Sequence, residues 1–169
     1  MLQLVPSQRL PLAAIGGGLG ETAAPDPLLA FAGSVAGSHA LVIAPNGLDL
    51  LCSLLRHGCT AATSQRLAER SEHEAYDLVF APSVASAALV GRLICQVKRA
   101  LVPTGRFLAF VPALVVDHHD FGELLVRSMR LGGFAAVRTK ETKEGILVRG
   151  DLPMHGISNA MPSLARRHA

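Results

Sequence analysis

The chain has 169 residues, half of them hydrophobic, 17% charged and 4% aromatic, with 16 Lys and Arg against 13 Asp and Glu. A mean hydropathy of +0.36 argues against disorder, and the lack of an unbroken apolar run of about 20 residues argues against a membrane span. The +3 formal charge is scattered, Trp is absent and Tyr76 is the sole tyrosine, so a nucleic-acid groove has neither clustered cations nor stacking rings.

At this length a chain buries about 68–70% of its unfolded surface, enough for one core without disulfides or metal. Cys52, Cys59 and Cys95 are odd in number and lack a CxxC spacing, so they read as small core or helix-face residues, and no metal site is expected. Met1 to Pro6 lack a cationic stretch followed by an apolar one, which gives no signal peptide and a cytoplasmic expectation.

Residues 1–38 form a Gly, Ala and Pro-rich lead-in, expected to pack on the domain, with a short alternation at Leu2–Val5 and a glycine cluster at Gly16–Gly20. The pattern sharpens at His39. Ala40 to Ala44 is a continuous apolar run stopped by Pro45-Asn46-Gly47, which predicts a buried strand. A helix follows, with Asn46 as N-cap, Asp49 in the box position, an apolar stripe of Leu48, Leu51, Cys52 and Leu55, and Gly58 at its end.

Cys59 to Thr63 is short and β-compatible, and the polar stretch Ser64 to Ala75 has room for one or two helical turns. Tyr76 to Ala81 predicts a second clear strand. Val84 to Leu101 is helical by period, with Ser83 as its cap, and Pro103-Thr104-Gly105 makes a turn into a third strand, Arg106 to Val111. Asp120 and Glu123 pair as a capping box for a helix through Leu131 that Gly132-Gly133 terminates. Phe134 to Thr139 and Ile146 to Arg149 flank a closing hairpin. Alternating strands and helices give an α/β three-layer sandwich with a short, mostly parallel sheet and a C-terminal antiparallel hairpin, spanning 39–153 before a tail at 154–169.

This order resembles the class I, Rossmann-like S-adenosylmethionine-dependent methyltransferases. The resemblance rests on the strand-turn-helix His39 to Gly58, the strand Tyr76 to Ala81, the run Val97 to Leu108 with its Pro103-Thr104-Gly105 turn, and Leu131-Gly132-Gly133-Phe134 before the hairpin. It implies S-adenosylmethionine as cofactor, held by Ala44, Pro45, Asn46, Gly47, Ser64, Ala81, Pro82 and Ser83.

Those positions depart from the family's pattern. The family repeats glycines in the first turn, where only Gly47 remains here and Pro45 removes one N–H donor. It also places a carboxylate at the end of the second strand, where Thr63, Ser64 and Gln65 stand and Glu69 lies further along. A hydroxyl in its place lowers affinity by about 1–3 kcal/mol. Between Thr63 and Tyr76 there is no room for the family's third strand and its helix, a crossover of at least about 10–12 residues. The second strand is then an open edge, expected either to be covered by Leu2–Val5 or to pair with a second copy in a homodimer. The alternative glycine turn, Gly16–Gly20, is cut off by Pro11 before it and by Pro25 and Pro27 after it.

Val115 to Asp120 is the dense polar cluster after the third strand. His118 or His119 is a candidate general base, weighed against a solvated loop in which adjacent histidines point apart and Asp120 caps a helix. Phe80-Ala81-Pro82-Ser83 lacks the acidic or amide residue and the aromatic ring of amino-group methyltransferases. The sequence therefore predicts a methyltransferase-like domain with weakened or lost cofactor binding and an interaction or scaffolding role. The alternative is an active methyltransferase on an unidentified acceptor.

Overall fold

A computed structural model describes residues 26–115 and 117–153, so Leu2–Val5, Gly16–Gly20 and the tail lie outside the described residues. The described chain runs α1 (Pro27–Ala32), β1 (His39–Ile43), α2 (Leu48–Arg56), β2 (Ala61–Gln65), β3 (Tyr76–Ala81), α3 (Ala87–Ala100), β4 (Leu101–Pro112), α4 (His118–Leu131), β5 (Ala135–Thr142) and β6 (Gly145–Asp151). The six strands form one sheet in the order β2-β1-β3-β4-β6-β5. Its first four strands are parallel, and the β5–β6 hairpin joins β4 antiparallel. This is the expected mixed α/β sandwich.

The continuous apolar runs become strands because both of their faces are covered. Leu41, Ile43, Val79, Ala81, Phe107, Ala109 and Val111 meet α3 and α4 on one face. Ala40, Val42, Leu78, Phe80 and Leu108 meet α1 and α2 on the other. Successive side chains thus alternate between two cores, as a period of two requires.

Several element ends differ from the sequence expectation. Helix α2 begins at Leu48 with Gly47 at its N-cap, and no side chain bonds the cap, so Asn46 does not cap it. Its buried residues are Leu50 and Leu54, while Leu48 is 70% and Leu55 51% exposed. The expected stripe is therefore the outward one. With leucines at 48, 50, 51, 54 and 55, two stripes satisfy helical spacing, and packing on β1 and β2 selects the i, i+4 pair. Gly58 ends the helix at φ +88° as expected.

Helix α3 starts at Ala87 after Ser86, so Ser83 is not its cap. Strand β4 takes in the Pro103-Thr104-Gly105 turn as an irregularity, its register slipping between Tyr76↔Leu101 and Leu78↔Arg106. Helix α4 opens at His118, with Asp117 at φ +53° and no side-chain cap bond, which removes the Asp120–Glu123 box. Gly133, at φ +91°, follows its end. Residues 66–75 contain no helix, and the hairpin turn shortens to Lys143-Glu144.

The lead-in contributes one element among the described residues. Asp26 accepts from the Leu28 N–H at 2.8 Å and opens α1, whose Leu28, Leu29 and Ala32 are buried against β4 and β6. None of the described helices is long and apolar enough to cross a membrane.

Candidate functional site

The carboxyl ends of β1, β2 and β3 lie side by side, with Val42 in register with both Ser64 and Phe80. Continuing the β1–β3 register by two residues sets Ala44 beside Pro82. The three expected cofactor segments, Ala44–Gly47, Ser64 and Ala81–Ser83, therefore share one end of the sheet, the end where open α/β folds bind ligands. Pro45, Asn46, Ser64 and Ser83 are exposed, while Ala44, Gly47 and Ala81 are buried.

Gly47 sits at φ −104°, so its lack of a side chain is not needed for a left-handed turn. Its reason is space: a Cβ there would lie 2.7 Å from Ser64 Oγ and 2.8 Å from Val42 Cγ1. The one glycine of this turn is spent on close packing against β1 and β2, and the room beside it is filled by Ser64 and Val42.

A carboxylate does reach this end. Glu69 Oε2 accepts from the Arg66 N–H, the first residue after β2, at 2.9 Å. Sequence spacing hid it because Glu69 sits in a turn that folds back rather than along a helix. Gln96 of α3 pins that turn. Its Oε1 accepts from the Ala68 N–H at 3.1 Å, and its Nε2 donates to the Glu69 carbonyl at 3.3 Å and to Ser71 Oγ at 3.1 Å. Ser71 in turn donates to Gln65 Oε1 at 2.7 Å, tying the segment to the end of β2. Gln96 is thus a clamp on this turn.

The histidines lie elsewhere. His118 and His119 occupy the first turn of α4 with ring centroids 4.2 Å apart and the rings tilted by 39°, so they lie against each other and do not point apart. His119 Nδ1 is 3.8 Å from Glu141 Oε1 on β5. Strand β5 is four strand intervals from β1, about 19 Å, so the structure does not bring His119 to the Ala44–Gly47 turn. Among the described residues no three His, Cys, Asp or Glu side chains gather as a metal site.

Two recesses flank α4. One of about 790 Å³, lined by Ala85, Pro112, Val115, Asp117 and Phe121, opens at the carboxyl end of β4. The other, about 830 Å³, is an outward groove between α4 and β5 that includes His119, Arg127 and Val137.

No family model and no curated protein matches the sequence. The fold does match solved structures. An S-adenosylmethionine-dependent methyltransferase from Mesorhizobium loti aligns at a TM-score of 0.58 and 14% identity, over 72% of this chain and 94% of its own. An O-methyltransferase from Thermotoga maritima aligns at 0.56 and 11% identity, over 80% of this chain and 63% of its own. A methyltransferase from Pyrococcus furiosus aligns at 0.56 and 11% identity, over 71% and 77%. The chain is therefore structurally similar to class I S-adenosylmethionine-dependent methyltransferases over about 70% of its length, at low sequence identity.

Proposed function

We propose that this chain is a methyltransferase-fold domain whose S-adenosylmethionine pocket is weakened and whose role is interaction rather than methyl transfer. The observation that carries this reading is the seat of Gly47. With Ser64 and Val42 filling the space beside it, and Pro45 lacking an N–H, the first turn offers an adenosyl group little backbone to approach. The absence of a strand beyond β2 among the described residues supports it further, because an adenine ring above β2 would lack a flanking wall.

A second reading, an active methyltransferase, is favoured by one specific observation. The Glu69 carboxylate at the end of β2 is an acceptor suited to paired hydroxyls, and the recess near Asp117 would then receive the methyl acceptor. Calorimetric titration with S-adenosylmethionine separates the two. The interaction reading expects a dissociation constant weaker than about 100 μM, equivalent to about 5.5 kcal/mol. Tighter binding that is lost in Glu69→Gln establishes the second.

A further inference from the structure

The two edges of the sheet are built differently. Strand β5 presents exposed Arg138, Lys140 and Glu141 and an irregularity between Ala135 and Arg138, with Ala136 at φ +48°. Charge and a bulge are the devices that keep an edge from pairing. Strand β2, Ala61-Ala62-Thr63-Ser64-Gln65, has no charge, no proline and no bulge against β1.

Its hydrogen-bonding phase is fixed by the Ala44 N–H donating to the Gln65 carbonyl at 3.0 Å. Alternate residues turn their backbone to opposite sides. Ala61, Thr63 and Gln65 thus face β1, and Ala62 and Ser64 turn N–H and C=O to the edge that no other described strand pairs. This set is self-complementary. An antiparallel copy centred on Thr63 sets Ala62 opposite Ser64 at both ends, so each pair exchanges two hydrogen bonds and all four groups are satisfied.

The neighbouring helix supplies an apolar flank. A right-handed β1-α2-β2 crossover turns the side of α2 bearing Leu48, Leu51 and Leu55 toward the free edge of β2. Leu48 and Leu55 are among the exposed large hydrophobic residues, at 70% and 51%. A twofold axis perpendicular to the sheet places the two α2 helices on the same face, side by side and antiparallel. A lone strand such as Leu2–Val5 would cover the edge and leave these leucines bare, whereas a second copy covers both.

We infer that β2 and the leucine flank of α2 form a homodimer interface, paired antiparallel about a twofold axis at Thr63, a conclusion that rests on the interaction reading above. Five paired residues and one helix flank make a small contact, below about 1,200 Å² in total, the range of reversible association. The dimer therefore depends on concentration.

The test uses the full chain with the exposed Cys52 and Cys95 replaced by serine. At the non-hydrogen-bonded centre of an antiparallel pair the Cα atoms approach to about 4.5 Å, within disulfide reach. Thr63→Cys should form an interchain disulfide in mild oxidant, at least about tenfold faster than Thr139→Cys on the guarded edge. Light scattering should show a dimer that dissociates on dilution. Ala62→Pro, which removes an outward N–H, and Leu55→Lys, which sits outside the core, should each give monomer with an unchanged circular dichroism spectrum.

A monomer at every concentration, equal cross-linking at positions 63 and 139, or a dimer that survives both variants overturns the inference. So does an intrachain disulfide between Val5→Cys and Thr63→Cys, which would make the lead-in the occupant. None of these readouts involves the cofactor, so tight S-adenosylmethionine binding would refute the weakened pocket without touching the pairing.

Discussion

Ser64 Oγ and Val42 Cγ1 together occupy the space where a side chain on Gly47 would begin, the hydroxyl 2.7 Å from that position. Gly47→Ala must therefore displace a buried valine as well as a mobile hydroxyl, an overpacking that costs about 1–3 kcal/mol. Urea denaturation of the variant should show a lower midpoint at unchanged slope. Ser64→Ala alone should be nearly neutral because Ser64 is exposed, and combining it with Gly47→Ala should recover only part of the loss, since Val42 remains.

Gln96 on α3 pins the first half of the 66–75 segment, at Ala68, Glu69 and Ser71. Gln96→Ala removes one acceptor and two donations, a loss of about 1–2 kcal/mol for these part-exposed bonds. The expected result is a local loosening, read as faster tryptic cleavage after Arg66 and Arg70 with little change in global unfolding. Gln96→Glu should fall between, because it keeps an acceptor for the Ala68 N–H and loses both donations. Unchanged cleavage in both variants would show that the clamp is not what orders the segment.

Arg106 on β4 and Arg149 on β6 converge on one oxygen, the Ala32 carbonyl at the end of α1, with Arg149 Nη1 at 3.3 Å. Asp151 lies 3.5 Å from the Arg106 guanidinium and 3.4 Å from that of Arg149. Burial, with Arg149 alongside, lowers the Arg106 pKa from its ordinary value, and Asp151 opposes that shift. Cations at a helix carboxyl end satisfy orphan carbonyls and oppose the dipole there. Arg106→Ala should destabilise the protein by about 1.5–3 kcal/mol, the scale of a charged hydrogen bond. Hydrogen exchange should quicken first in α1, and a uniform change across the sheet would contradict the assignment.

Cys59 is 7% exposed, its Sγ lies 3.3 Å from the Val35 carbonyl, and burial pushes its thiol pKa up. A thiol whose pKa is higher folded than unfolded stabilises the protein fully below the unfolded value. That contribution is lost as pH rises from about 8.5, the ordinary thiol value, through the folded one. Thermal melts at stepped alkaline pH should fall more steeply for the wild type than for Cys59→Ala. Parallel slopes would contradict the raised folded value, because the unfolded thiol ionises over that range.

Sequence patterning located the sheet where burial on both faces leaves no choice. Ala40–Ala44, Leu78–Ala81 and Phe107–Val111 are unbroken apolar runs, and each forms the body of a strand, β1 ending at Ile43. It misread positions where two patterns fit equally well. The five leucines of α2 allow two stripes, and only the presence of β1 and β2 beneath the helix selects Leu50 and Leu54. Caps failed for a related reason: Asn46, Ser83 and Asp120 have cap chemistry, but the chain enters α2, α3 and α4 elsewhere, at Leu48, Ala87 and His118. At the candidate site, the lost glycines and the missing strand could be read directly, because deletion and composition are sequence properties. Glu69 could not, since its return to the Arg66 N–H depends on a turn held from another helix by Gln96.

The proposed weakening of the pocket is tested most directly by following backbone amide resonances while titrating S-adenosylhomocysteine, a ligand that needs the same pocket without an acceptor. The account predicts no saturable shift at Gly47, Gln65 or Glu69 below about 100 μM ligand. Saturation at low micromolar ligand, with the largest shifts on those three amides, would contradict it.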